Sequence, residues 1–145
     1  MAYSVYSIAD TTTVVNHPSV GRKVLSDENN GGGQVSISYQ MDMSSQTQTA
    51  NGYTVINKVR SHAGTVTFEI PQNSPSDMYL RRLIAYLETA DAKEFGLTTI
   101  TIFDAAAGIT FSITGATPQK RPDRSYAQQS GNLNYVFLCA EITES

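Results

Sequence analysis

Six consecutive residues, Thr65-Val66-Thr67-Phe68-Glu69-Ile70, alternate between polar and apolar without a fault. A period of two sends successive side chains to opposite faces, which commits such a stretch to a strand with one buried side. The same rhythm returns over residues 34–43, where Val35, Ile37, Tyr39, Met41 and Met43 face Ser36, Ser38, Gln40 and Asp42. Residues 97–104 and 109–115 flank a four-residue loop that closes on Gly108 and read as a hairpin. Ile109, Phe111 and Ile113 supply the apolar face of its second arm. The last run, 133–142, is apolar on both faces, Tyr135, Phe137 and Cys139 against Val136, Leu138 and Ala140. Such a strand is expected to be central, or covered on both sides.

One segment breaks the rhythm. Ser74-Pro75-Ser76-Asp77 sets an N-cap hydroxyl before a proline at the first helical position and an acid at the third. Leu80, Leu83, Ile84 and Leu87 follow at i, i+3, i+4 and i+7, so an amphipathic helix over about residues 75–90 lays one stripe on a sheet. It should end near Ala90–Ala92. The expected fold is therefore mainly β, a sandwich or barrel-like body with one helix packed on a sheet, in a single domain spanning residues 1–145. No internal repeat and no domain boundary interrupts it.

Between these elements lie three informative connections. Residues 27–33 are rich in turn formers and end in three glycines, and residues 44–51 are neutral, polar and without period. The latter separate Met43 from a short strand-like run at 53–59. A structureless stretch inside a compact domain is usually functional or ordered by a partner. Residues 118–124 form the only basic cluster in the sequence, with Lys120, Arg121 and Arg124 between two prolines.

Chemistry finds few parts. His17 and His62 stand in loop-like contexts, and no His, Cys, Asp and Glu share a zinc-like spacing. The triple glycine lacks the Lys-Ser/Thr that a phosphate loop requires and leads into a strand. Asp27, Glu28, Asn29 and Asn30 lack the alternate spacing and distal Glu of a calcium loop. Cys139 is the single cysteine and sits in an apolar run, so it reads as a small buried hydrophobe. No enzymatic activity, cofactor or metal is expected.

No apolar run reaches the roughly 18 residues of a membrane span. The first fifteen residues show neither a basic nor a continuous apolar region, so a cleaved signal peptide is not expected. The pI near 5.2 and formal charge of −3 argue against general nucleic-acid binding, and the three cations of 118–124 are expected to pair with a neighbouring subunit or stay solvated. Charged residues make up only 16% of the chain, below the roughly 25% of an average soluble domain, and 16 Thr, 15 Ser, 8 Asn and 8 Gln fill the deficit. Long alternating strands with so little charge cannot protect their edges, and neutral polar loops pack against other subunits at low desolvation cost. Both traits fit a chain whose surface is consumed by self-assembly.

Several stretches carry a resemblance to a known family: YSIADTTTVVNHPSVG (6–21), SDENNGGGQVSISY (26–39), ANGYTVINKVR (50–60), GTVTFEIPQNSPSD (64–77), TPQKRPDRSY (117–126) and the closing strand. Together they resemble the short tail-tube, or inner-tube, structural proteins of contractile-tailed bacteriophages. The resemblance implies hexameric rings stacked into a hollow tube inside a contractile sheath, a conduit for DNA ejection through whose lumen DNA and the tape-measure protein pass. Baseplate and tail terminator would meet its ends, in the virion, after assembly in the host cytoplasm, with no membrane partner. It also implies a continuous sheet around the lumen and a long loop or hairpin gripping the adjacent ring. Residues 43–60 are the candidate inter-ring loop, and residues 1–15 the candidate terminal contact.

Interface candidates are Tyr3, Tyr6, Ser45, Gln46, Thr47, Gln48, Tyr53, Lys120, Arg121 and Arg124. Lumen candidates are Gln40, Asp42 and Asp104, acidic or neutral groups that offer DNA phosphates no anchor. Another tail or baseplate component, the tube of a phage-tail-like bacteriocin, a soluble ligand-binding β-sandwich and a small hydrolase are the alternatives.

Overall fold

The computed structural model describes residues 11–25, 34–129 and 131–145. Its strands are β1 (Thr11–His17), β2 (Gly21–Val24), β3 (Gln34–Tyr39), β4 (Ser44–Gln48), β5 (Thr54–Lys58), β6 (Gly64–Pro71), β7 (Thr98–Asp104), β8 (Ile109–Pro118), β9 (Asn132–Cys139) and β10 (Glu141–Glu144). Between β6 and β7 run helix α1 (Pro75–Thr89) and the single turn α2 (Ala92–Phe95). Among the described residues, eight strands form one sheet in the order β2-β1-β7-β8-β9-β6-β3, with β10 paired to β8, and β4 and β5 pair only with each other. Every pairing is antiparallel. The expected mainly β fold with one packed helix is the observed one.

The sheet changes direction through β8. Its first part pairs with β7 and β10, whereas Thr117 and Pro118 pair with Leu138 and Phe137 of β9. At the junction Gly115 adopts φ +65°, and a Cβ there would lie 2.7 Å from the Cβ of Ala140. Only glycine accepts that backbone without strain and that approach without a clash. Both halves consequently line a single core. Val15, Ile100, Ile102, Ile113 and Ile142 come from one half and Val66, Phe68, Ile70, Leu133, Tyr135 and Phe137 from the other. Phe68 and Phe137 meet edge to face at 5.7 Å.

Helix α1 closes this core with Leu80, Leu83, Ile84 and Leu87, the predicted stripe, all buried. Its start follows the predicted cap: the Asp77 amide donates to the Ser74 hydroxyl at 3.3 Å. The Tyr79 hydroxyl donates to the Gly21 carbonyl at 2.6 Å and so fixes the helix against the β1–β2 turn. The helix stops at Ala90, inside the expected range.

Four expectations are corrected. The 34–43 strand ends at Tyr39, and Met41 and Met43 are exposed, because among the described residues β3 pairs with β6 alone and that pairing ends at Tyr39↔Gly64. Residues 44–51 are not structureless, since Ser44–Gln48 is a strand; its partner is the adjacent run rather than the core, so no apolar period marked it. The 133–142 run is two strands broken at Ala140, and β9 is central but buried on one face alone, with Leu138 44% exposed. His17 is no loop residue: it ends β1, fully buried, accepts from the Ser19 amide at Nδ1 (3.1 Å) and donates from Nε2 to the Glu94 carbonyl (2.9 Å). Cys139 is buried as expected.

Candidate assembly surfaces

The β4–β5 hairpin is the part of the chain that the core does not explain. Each residue of both strands is exposed. The register Ser44↔Lys58 to Gln48↔Thr54 is closed at the tip by Thr49, whose amide donates to the Tyr53 carbonyl at 2.9 Å and whose hydroxyl accepts from the Tyr53 amide at 3.2 Å. At the base the Val59 amide donates to the Met43 carbonyl at 2.9 Å. Paired residues share a face, so Met43, Ser45, Asn57, Thr47, Val55 and Tyr53 project on one side and Gln46, Ile56, Gln48 and Lys58 on the other. Met43 is 85% exposed, and Tyr53 and Ile56 are each 70% exposed. A lone two-stranded hairpin is marginal in water, and apolar side chains on both of its faces call for a covering surface.

The predicted residues Ser45, Gln46, Thr47, Gln48 and Tyr53 thus come together on this one hairpin. Tyr3 and Tyr6 lie outside the described residues, as do residues 1–10 of the candidate terminal contact and the 27–33 loop. Gln40 and Asp42 are exposed in the link from β3 to β4. Asp104 stands apart from them at the end of β7, where its carboxylate accepts from the Ala106 and Ala107 amides and shapes the β7–β8 turn.

The cluster at 118–124 divides. Lys120 is exposed. Arg121 makes a bidentate pair with Glu88 at 2.9 and 2.8 Å on the surface. Arg124 reaches Asp77 at 2.6 Å, and Asp77 is wholly buried. The expectation that these arginines pair with a neighbour or stay solvated is therefore corrected: both find carboxylates of their own chain on α1. Burial raises the Asp77 pKa, but bonds from Arg124, Tyr135 (2.5 Å) and the Asn73 amide (3.1 Å) outweigh it and hold the carboxyl below its ordinary value. The sequence cluster is also not the only concentration of cations, because the fold collects a larger one beside α1, from Arg22 and Lys23 on β2 and Arg81 and Arg82 on α1. Two basic doublets in the sequence were its signal, but they are nearly sixty residues apart.

The sheet offers a second surface. On the face away from the core, Thr12, Thr99, Thr101, Thr110, Ser112, Thr114 and Thr143 occupy matched positions across β1, β7, β8 and β10. Ser36, Ser38, Thr65 and Thr67 do the same across β3 and β6. Eleven of the chain's 31 Ser and Thr residues stand on that face. Edge strand β3, Gln-Val-Ser-Ile-Ser-Tyr, carries neither charge nor proline to block further pairing. Among the described residues no cluster of metal-ligating side chains exists, and no helix is long and apolar enough to cross a membrane.

The family model of the bacteriophage PhiTE tail tube protein matches residues 3–145. No curated protein sequence matches the chain. Among solved structures, the chain is similar to a chain of the structure of an extracellular contractile injection system, PVC sheath/tube terminator in extended state (TM-score 0.63, 11% identity, covering 100% of this chain and 99% of that one). It is also similar to a chain of the PVC sheath-tube complex (TM-score 0.59, 12% identity, 97% and 91% covered). A chain of the anti-feeding prophage baseplate gives a TM-score of 0.62 at 11% identity, with 100% and 97% covered. At such identities the likeness is one of fold.

Proposed function

The chain belongs to the bacteriophage PhiTE tail tube protein family, and on that premise we propose that six copies close into a ring and that rings stack into the inner tube of a contractile tail, the conduit for DNA ejection. Its role is structural and not enzymatic. The observation that carries the reading is the β4–β5 hairpin, which stands clear of the core with apolar groups exposed on both faces. The 43–60 segment is the arm that grips the adjacent ring, and Ser45, Gln46, Thr47, Gln48 and Tyr53 are its contact residues. The uncharged edge of β3 supports lateral joining of sheets into a ring, since a heterologous contact that closes makes a cycle and one that repeats along an axis makes a filament.

The tape-measure protein and DNA would pass through the lumen, the sheath would surround the tube, and baseplate and terminator would cap it. A lumen lined by Ser, Thr, Gln40, Asp42 and Asp104 would hold no phosphate and let DNA slide. The location that follows is the virion tail, after assembly in the host cytoplasm.

Negative-stain electron microscopy of the purified protein over a range of concentrations tests the reading. Hollow filaments built of six-fold rings are expected. A monomer at every concentration overturns it, and rings that never stack overturn the tube in favour of a terminal component.

A further inference from the structure

Five of the ten Lys and Arg residues of this chain line one open cavity of about 640 Å³. Arg22 and Lys23 come from β2, Arg81 and Arg82 from α1, and Arg121 from the segment that follows β8. Among the described residues the remaining wall is Pro75, Met78, Tyr79 and Ala85, with no carboxylate in it. The helical period explains the grouping. Met78, Arg81, Arg82 and Ala85 stand at i, i+3, i+4 and i+7, a stripe beside the buried one, and β2 runs along it. Arg81 and Arg121 also border a neighbouring cavity of about 310 Å³, which does carry a carboxylate, Asp123, and so lies outside the uncompensated part of the groove.

Arg121 is engaged by Glu88, but among the described residues Arg22, Lys23, Arg81 and Arg82 enter no ion pair and no side-chain hydrogen bond. Four cations grouped without a counter-charge among the described residues repel one another, and they stand out on a chain whose net charge is −3. Guanidinium forks match the oxygen pairs of carboxylates and phosphates alike. The apolar wall decides between the two. Met78 is 58% exposed, one helical turn from Pro75, and a phosphodiester backbone has no group to place against it, whereas a peptide supplies an apolar side chain beside its acids.

We propose that this groove docks an acidic peptide segment of a protein partner, whose carboxylates are taken by Arg22, Lys23, Arg81 and Arg82 while one apolar side chain rests on Pro75 and Met78. The proposal stands apart from the tube reading, because it concerns the helix side of the subunit and not the hairpin or the sheet edge.

The test uses the full chain and a fluorescein-labelled dodecapeptide of Glu and Asp with one central Leu, followed by fluorescence anisotropy. A Gln/Asn version of the peptide and a twelve-base-pair DNA duplex are run beside it. Saturable binding of the acidic peptide is expected in about 50 mM salt, weakened about tenfold or more at about 300 mM as screening shortens the reach of the charges. R81E and R82E should each weaken it at least about tenfold, and R22A and K23A about threefold. K93E, on α2, should leave it unchanged. Thermal melting by circular dichroism identifies any variant that fails to fold, and the two β2 variants then carry the test. Absence of saturable binding, equal binding by R81E and R82E, equal binding of the Gln/Asn peptide, or tighter binding of the duplex would each overturn the proposal.

Discussion

Arg124 donates to the buried Asp77 carboxylate at 2.6 Å and thereby ties the irregular segment after β8 to the first turn of α1. The same carboxylate accepts from Tyr135 on β9, so helix, connection and central strand meet at one charge. Asp77 occupies the third position of the helix, where an acid also complements the macrodipole.

Removing one member of a buried ion pair leaves the other uncompensated. Arg124→Ala should destabilise the subunit by about 3 kcal/mol, the lower end for such losses because Arg124 keeps some contact with water. Urea unfolding measures it, and a loss under about 1 kcal/mol would show that solvent replaces the guanidinium.

The depressed Asp77 pKa sets the sign of an acid dependence. Its stabilising contribution is full above the ordinary carboxyl value of 3.8 and is lost as pH falls through the lower folded value. Asp77→Asn should therefore be less stable than the parent at neutral pH, and its stability should fall less steeply in acid. Melting temperatures across the range from neutral to about pH 2 check this; parallel profiles would contradict it.

Gly115→Ala brings both a left-handed backbone and a 2.7 Å approach to Ala140. A loss of about 3 kcal/mol is expected, part conformational and part steric. Adding Ala140→Gly removes only the steric part, so a double-mutant cycle should give a coupling of about 1 kcal/mol. Strict additivity would place the strain elsewhere.

Replacing residues 44–58 with an Asn-Gly turn joins Met43 to Val59, which already face one another across a backbone hydrogen bond. The subunit should fold with an unchanged melting temperature but fail to stack. Long tubes from this variant, seen in electron micrographs, would refute the arm assignment.

Burial pushes the Cys139 thiol up to about 11, although a backbone bond from Val66 opposes it. A disulfide reagent at about pH 8 should leave the native protein unmodified and titrate one thiol in denaturant. Rapid native reaction would mean that β9 opens readily.

Local pattern was sufficient for most elements that face the core, but not for β1, where Val14 and Val15 point to opposite faces and no apolar period announces the buried side of Thr13, Val15 and His17. The alternation at Val66, Phe68 and Ile70, the Ser74-Pro75 cap and the Leu80–Leu87 stripe each state in the sequence which side is buried, because a period of two or of 3.6 has one apolar face to hide. Of the hairpin, β5 was legible as the strand-like run at 53–59 and β4 was not, since Ser44–Gln48 buries no face within the subunit and carries no apolar period. Three things belong to the tertiary structure alone. One is the break of the closing run at Ala140, another the partners of Arg121 and Arg124, and the third the meeting of Arg22 and Lys23 with Arg81 and Arg82. Each depends on which distant segments the sheet order brings side by side, and no local spacing encodes that. The sequence by itself determined the elements whose apolar period marks a buried face, β6, β8 and α1 above all; sheet order and helix docking, set by long-range burial, decided the remaining strands and which charges became neighbours.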